Sequence, residues 1–319
     1  MLAPCLLALA FGLPSGVETA EARFVPTAAE ASVPALYQLP AATYRYEFEP
    51  VLDEPRYAVA KVRFPSPVVS PFEVNNTVHA EYFRPKGDGK RPAVVVLHIL
   101  GADFALARYY AARLASGGVG ALFMKLPYYG ERRPPGRPGR FLSTDVGETS
   151  AAMRQAVCDV RRAGSWLAGR PEVDAGRIGV TGISLGGITS ALVLAVDPAF
   201  ERGVTILAGG NLDEILWTMD EAGADRWRRD WLAAGHTPAD LKALTRDFDP
   251  IHHADRLRGK KLLMMAGNVD EVVPPASARN LWEAAGRPPI RWFDCGHYSS
   301  AGFLLPAFRE AVDFLAEPR

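Results

Sequence analysis

Six apolar runs organise the last two thirds of this chain: AVVVLH at 93–98, VGALFMKL at 119–126, RIGVTG at 177–182, GVTILAG at 203–209, KKLLMMAG at 260–267 and PIRWFD at 289–294. Each is strand-length and nearly uninterrupted, as expected of strands buried on both faces. Helical stretches separate them, at about 104–115, 146–167, 185–196, 276–286 and 303–316. Strands alternating with helices of ten or more residues imply a mostly parallel sheet covered on both sides. The fold class is therefore α/β, with a central parallel sheet. Ahead of it, YAVAKVRFPS and TVHAEYFRP alternate apolar and polar residues, as an antiparallel hairpin does.

One segment breaks the alternation. About 50 residues, roughly 210–259, lie between the fourth and fifth runs and carry Trp217, Trp227 and Trp231. Ordinary connections in such folds are only a few residues long. We read the segment as a helical cap over the strand ends.

The N-terminus divides less sharply. Residues 1–22 resemble an export signal, with an apolar stretch and an A-x-A pattern at Ala20, Glu21 and Ala22, but without a basic start. Export to the periplasm or beyond, and a cytoplasmic location, both stay open. The Pro/Ala-rich stretch that follows reads as a surface arm or linker, 23–56, leaving 57–319 for the main domain. No apolar stretch is long enough to span a bilayer.

Composition narrows the function classes. The 319 residues are 48% hydrophobic and 23% charged, with a formal net charge of zero, so no basic surface points to nucleic acid. Arg132, Arg133, Arg137 and Arg140 sit among prolines and glycines, and we place them on a surface loop. The three cysteines, Cys5, Cys158 and Cys295, match neither a zinc nor a disulfide pattern. Cys158 reads as buried in a helix; Cys295, two residues before His297, reads as a small core residue rather than a reactive thiol.

Residues 179–187, GVTGISLGG, hold four glycines around Ser184. Gly182-Ile183-Ser184-Leu185-Gly186 is a G-x-S-x-G between a predicted strand and a predicted helix, the context in which a sharp turn exposes a nucleophile. The bland alternative is a strand-to-helix turn with a serine cap. A serine hydroxyl needs a histidine to accept its proton, and the histidine needs a carboxylate. Downstream, Asp270 follows the fifth run and His297 follows the sixth, both at strand C-terminal ends. Open α/β sheets place their sites along that edge. Glu271 is the alternative acid. His252 and His253, ahead of a strand, read as structural or surface residues, with Asp249 as a helix cap.

These motifs resemble the α/β-hydrolase superfamily, in its serine-esterase, dienelactone-hydrolase-like and acetyl-esterase-like branches, from about Ala93 onward. The resemblance implies Ser184 as nucleophile, Asp270 as acid and His297 as base. It matches HILGAD at 98–103 to the oxyanion loop, with Ile99 where glycine is usual. The expected donors are the N–H groups of Leu185 and Leu100, with Ile99 as fallback. Tyr128, Tyr129, Trp217 and Tyr298 are candidates for the substrate pocket. The expected activity is hydrolysis of a small carboxylic ester without metal or cofactor. A peptidase or amidase like the prolyl oligopeptidases is the enzymic alternative, and a binding module on the same fold is the alternative outside enzymes.

Overall fold

A computed structural model describes residues 16–101, 104–136, 141, 143, 145–219 and 223–318. The call on Cys5, most of the export-signal call, and Arg137 and Arg140 lie outside the described residues. Four antiparallel strands come first: β1 (Glu18–Phe24), β2 (Ala42–Asp53), β3 (Tyr57–Pro65) and β4 (Thr77–Pro85). The alternating part follows as β5 (Arg91–Leu97), α1 (Phe104–Ser116), β6 (Gly120–Met124), α2 (Val146–Ala168), β7 (Val173–Ile183), α3 (Leu185–Val196) and β8 (Arg202–Ile206). After β8 come α4 (Leu212–Thr218), α5 (Ala224–Ala233) and α6 (Pro238–Thr245). The chain closes with β9 (Lys261–Gly267), α7 (Pro275–Ala284), β10 (Ile290–Phe293) and α8 (Ala301–Ala316). The strands form one sheet in the order β1-β2-β3-β4-β6-β5-β7-β8-β9-β10. From β6 to β10 every neighbouring pair is parallel. The protein has the α/β-hydrolase fold.

The period-two alternation of a strand divides the core in two. Ala93, Val95 and Leu97 of β5 join the apolar cluster under α2 and α3. Val94 and Val96 join the opposite cluster, with residues of α1 and α8. The register then aligns the C-terminal ends: Leu97 faces Gly182, Ile183 faces Ile206, and Ile206 faces Met265. Loops leaving β5, β7, β9 and β10 emerge along this edge.

Two expectations need correction. Residues 23–56 are not a surface arm. Phe24 ends β1, β2 pairs along its length, and Val33, Tyr37 and Leu39 are buried. Arg161 of α2 holds this stretch by pairing with Glu30 at 2.7 Å and with Asp197 at 2.8 Å. Arg132 is not a surface residue either. It is fully buried, donates to Asp159 at 2.7 Å and to the carbonyls of Asn75 and Lys125 at 2.8 and 3.0 Å. Asp159 and the Asn75 carbonyl are distant in sequence, so local composition carries no trace of them. Arg133 is exposed.

Candidate active site

The turn from β7 to α3 explains the glycines. Ser184 has φ +53° and ψ −119°, a conformation that costs an L-residue roughly 1–3 kcal/mol. It is held there by donating its N–H to Ile206 O at 2.8 Å and accepting from Ile188 N–H at 2.9 Å. A Cβ at Gly182 would lie 2.5 Å from the Gly186 backbone, and one at Gly186 would strike the Leu97 carbonyl. A Cβ at Gly187 would lie 2.9 Å from Ile206 O. Three glycines thus let β5, β7 and β8 close around the turn.

His297 Nε2 lies 2.9 Å from Ser184 Oγ, and His297 Nδ1 lies 2.9 and 3.0 Å from the two Asp270 oxygens. Asp270 is buried, and its Oδ1 also accepts from the N–H groups of Val272 and Val273 at 2.9 and 2.8 Å. The three predicted residues therefore meet, although 113 positions separate Ser184 from His297. Glu271 points elsewhere. Its Oε2 accepts the backbone N–H of His297 at 2.9 Å, and that bond holds the carboxyl below the usual carboxylate range. The Cys295 thiol is buried, and burial pushes its pKa up. His253 faces Asp247 O in the segment Pro250–Leu257, away from this cluster.

The loop after β5 is fixed by His98. His98 accepts the N–H of Leu126 on Nε2 at 3.1 Å, so its Nδ1 carries the proton and donates to Ile99 O at 2.7 Å. Burial drives its pKa down to about 4, so the ring is neutral. Phe104 and Tyr129 pack edge-on against it, at 5.1 and 4.7 Å between centroids. Leu100 follows and borders a cavity with Ser184 and Leu185, whereas Ile99 packs into the α1/α8 core. Lys125 is buried and pairs with Glu131 at 2.6 Å.

The cavity runs from Ser184 beneath the helices inserted after β8. Leu212, Ile215, Leu216 and Met219 come from α4 and the residue after it, and Phe248 comes from the returning chain. None of the four predicted pocket residues lines it. Tyr128 donates its N–H to Asn75 Oδ1, Tyr129 supports His98, Trp217 packs on the main core, and Tyr298 is 60% exposed beside the His297 ring. The better signal was the i, i+3, i+4, i+7 spacing of Leu212, Ile215, Leu216 and Met219, an apolar helix stripe. Met153 and Ile188, from α2 and α3, complete the opposite wall and carry no local mark.

Residues 34–211 match the family described as alpha/beta hydrolase domain containing 18, which is more than half of the chain. The chain belongs to this family. The prolyl oligopeptidase family also matches, over residues 152–289. Among curated proteins, uncharacterized protein Rv2627c of Mycobacterium tuberculosis is 29% identical over 186 residues, 56% of this chain. The matched part is 42% of that relative's length. Uncharacterized protein Rv2307c of the same organism is 28% identical over 207 residues, covering 65% of this chain and 62% of the relative. Among solved structures, an acetyl xylan esterase from Paenibacillus sp. R4 superposes with a TM-score of 0.66 at 21% identity, over 84% of this chain and 88% of that one. A puromycin-hydrolyzing peptidase of M. tuberculosis gives 0.57 at 17% identity, over 85% of this chain and 45% of that one. Such low identities speak for the fold alone. No helix among the described residues is long and apolar enough to cross a membrane.

Proposed function

We propose that this α/β-hydrolase cleaves carboxylic esters through an acyl-enzyme on Ser184. The observation that carries the reading is the unbroken chain of contacts Ser184 Oγ–His297 Nε2 and His297 Nδ1–Asp270. His297 takes the hydroxyl proton as Ser184 attacks the carbonyl, and Asp270 holds the ring in the Nδ1–H tautomer and stabilises the imidazolium. The developing oxyanion is met by the N–H groups of Leu185, at the start of α3, and Leu100. A helix N-terminus favours negative charge there. His297 then protonates the departing alcohol. Water, deprotonated by His297, attacks the acyl-enzyme and releases the acid, returning the proton to Ser184.

A peptidase or amidase is the second reading, supported by the match to the prolyl oligopeptidase family over residues 152–289. The triad chemistry is common to both. A panel of p-nitrophenyl esters and aminoacyl anilides separates them. Ester turnover, covalent labelling by a fluorophosphonate, and a loss on the order of 10⁶ in kcat for Ser184→Ala are expected. Wild-type-like turnover by Ser184→Ala would refute the assignment. Faster cleavage of anilides than of esters would favour the second reading.

A further inference from the structure

The cavity at Ser184 has an unusual lining. Of its twelve residues, eleven are Leu, Ile, Val, Met or Phe, and Ser184 alone is polar. A hydroxyl, amide or charge placed deep in it would lose its water and gain no partner. His297 is absent from the lining. The alcohol oxygen must leave within reach of His297 Nε2, so the group that enters the cavity is the other half of the ester, the acyl chain.

The size of the cavity sets the length of that chain. Its volume is about 60 Å³. One water needs about 10–15 Å³, so the space holds roughly four to six waters. Bonded carbons lie closer together than waters, so a hydrocarbon chain fits with more carbons than that count of waters. We infer that the substrate is an ester of an aliphatic acid of about four to eight carbons, with its alcohol outside the cavity. The inference rests on the ester-hydrolase reading and adds the acyl class to it. The α4 stripe and Phe248 form one side, so this helix takes part in selecting the acyl group while the turns after β7, β9 and β10 supply the chemistry.

The experiment compares p-nitrophenyl acetate, butanoate, hexanoate, octanoate, dodecanoate and hemisuccinate on the full chain, with Ser184→Ala and Ile215→Trp. Each methylene buried in the transition state is worth about fourfold in kcat/KM. A rise of at least about tenfold from acetate to hexanoate is expected, with a fall at dodecanoate and a hemisuccinate rate about 10²-fold below butanoate. Ile215→Trp, which narrows the cavity, should move the optimum toward shorter chains. Acetate or hemisuccinate turned over as well as hexanoate, in a reaction that Ser184→Ala abolishes, would overturn the acyl assignment and leave the esterase reading standing. No turnover of any ester, together with no fluorophosphonate labelling, would overturn both.

Discussion

Glu271 grips the backbone of His297 while its neighbour Asp270 grips the imidazole. The Glu271 carboxylate accepts the His297 N–H at 2.9 Å, and the Asp270 carboxylate sits 2.9 Å from His297 Nδ1. The sequence offered both acids; the turn sends them to different atoms. Asp270→Asn should lower kcat by on the order of 10⁴, because an amide no longer fixes the tautomer or offsets the imidazolium. Glu271→Gln keeps an acceptor for the N–H and should cost less than tenfold. Steady-state kinetics on one ester checks both, and the reverse ranking would move the acid to Glu271.

His98 gives the protein a pH-dependent stability. Its folded pKa, about 4, lies below the usual value near 6.5. Its contribution is therefore complete above pH about 6.5 and is withdrawn as the pH falls toward 4, by up to about 3 kcal/mol. Urea titrations across that window should show wild type losing more stability than His98→Gln. Parallel curves for the two proteins would contradict the buried neutral ring.

Arg132 and Asp159 form a buried pair at 2.7 Å, with Ser66 Oγ donating to Asp159 at 2.6 Å. Removing one partner strands a charge in the core, so Arg132→Met should destabilise by about 3–5 kcal/mol. The double variant Arg132→Met with Asp159→Leu should recover part of that loss. Equal losses in single and double variants, by chemical denaturation, would mean that the arginine acts through its carbonyl contacts alone.

Asp249 joins the two roots of the inserted helices. It accepts the N–H of Leu212 at 2.6 Å and that of Ile251 at 3.1 Å. Asp249→Ala leaves the buried Leu212 N–H and the half-buried Ile251 N–H without this acceptor, at a cost of about 1–3 kcal/mol. Hydrogen exchange should quicken across 212–251 more than in the central strands. A uniform change would show that the insertion does not open as a unit.

The inner parallel strands were legible because both faces of each are covered, which leaves an unbroken apolar run such as Val94–Leu97. The reactive edge was legible for a related reason: the turn at Ser184 needs glycines, and its partners follow strands. The outer strands were harder. β1, Glu18–Phe24, is exposed along most of its length, so its residues carry no burial pattern. β2 does alternate Tyr44, Tyr46 and Phe48 with charged residues, a signal overlooked beside the proline-rich stretch. Arg132 and the walls of the cavity depend on contacts across the fold. Only the α4 stripe carries a local signal, in the helical spacing of Leu212, Ile215, Leu216 and Met219.

Helix α4 and Phe248 cover one side of the cavity, yet they contribute no side chain to the contacts linking Ser184, His297 and Asp270. On the acyl reading proposed above, part of the selectivity is thus written in α4, apart from the turns that carry the triad, while Leu185, Val272 and Val273 serve both the cavity and those turns. A lineage could rewrite one roof helix and acquire a new diet without relearning how to break a bond.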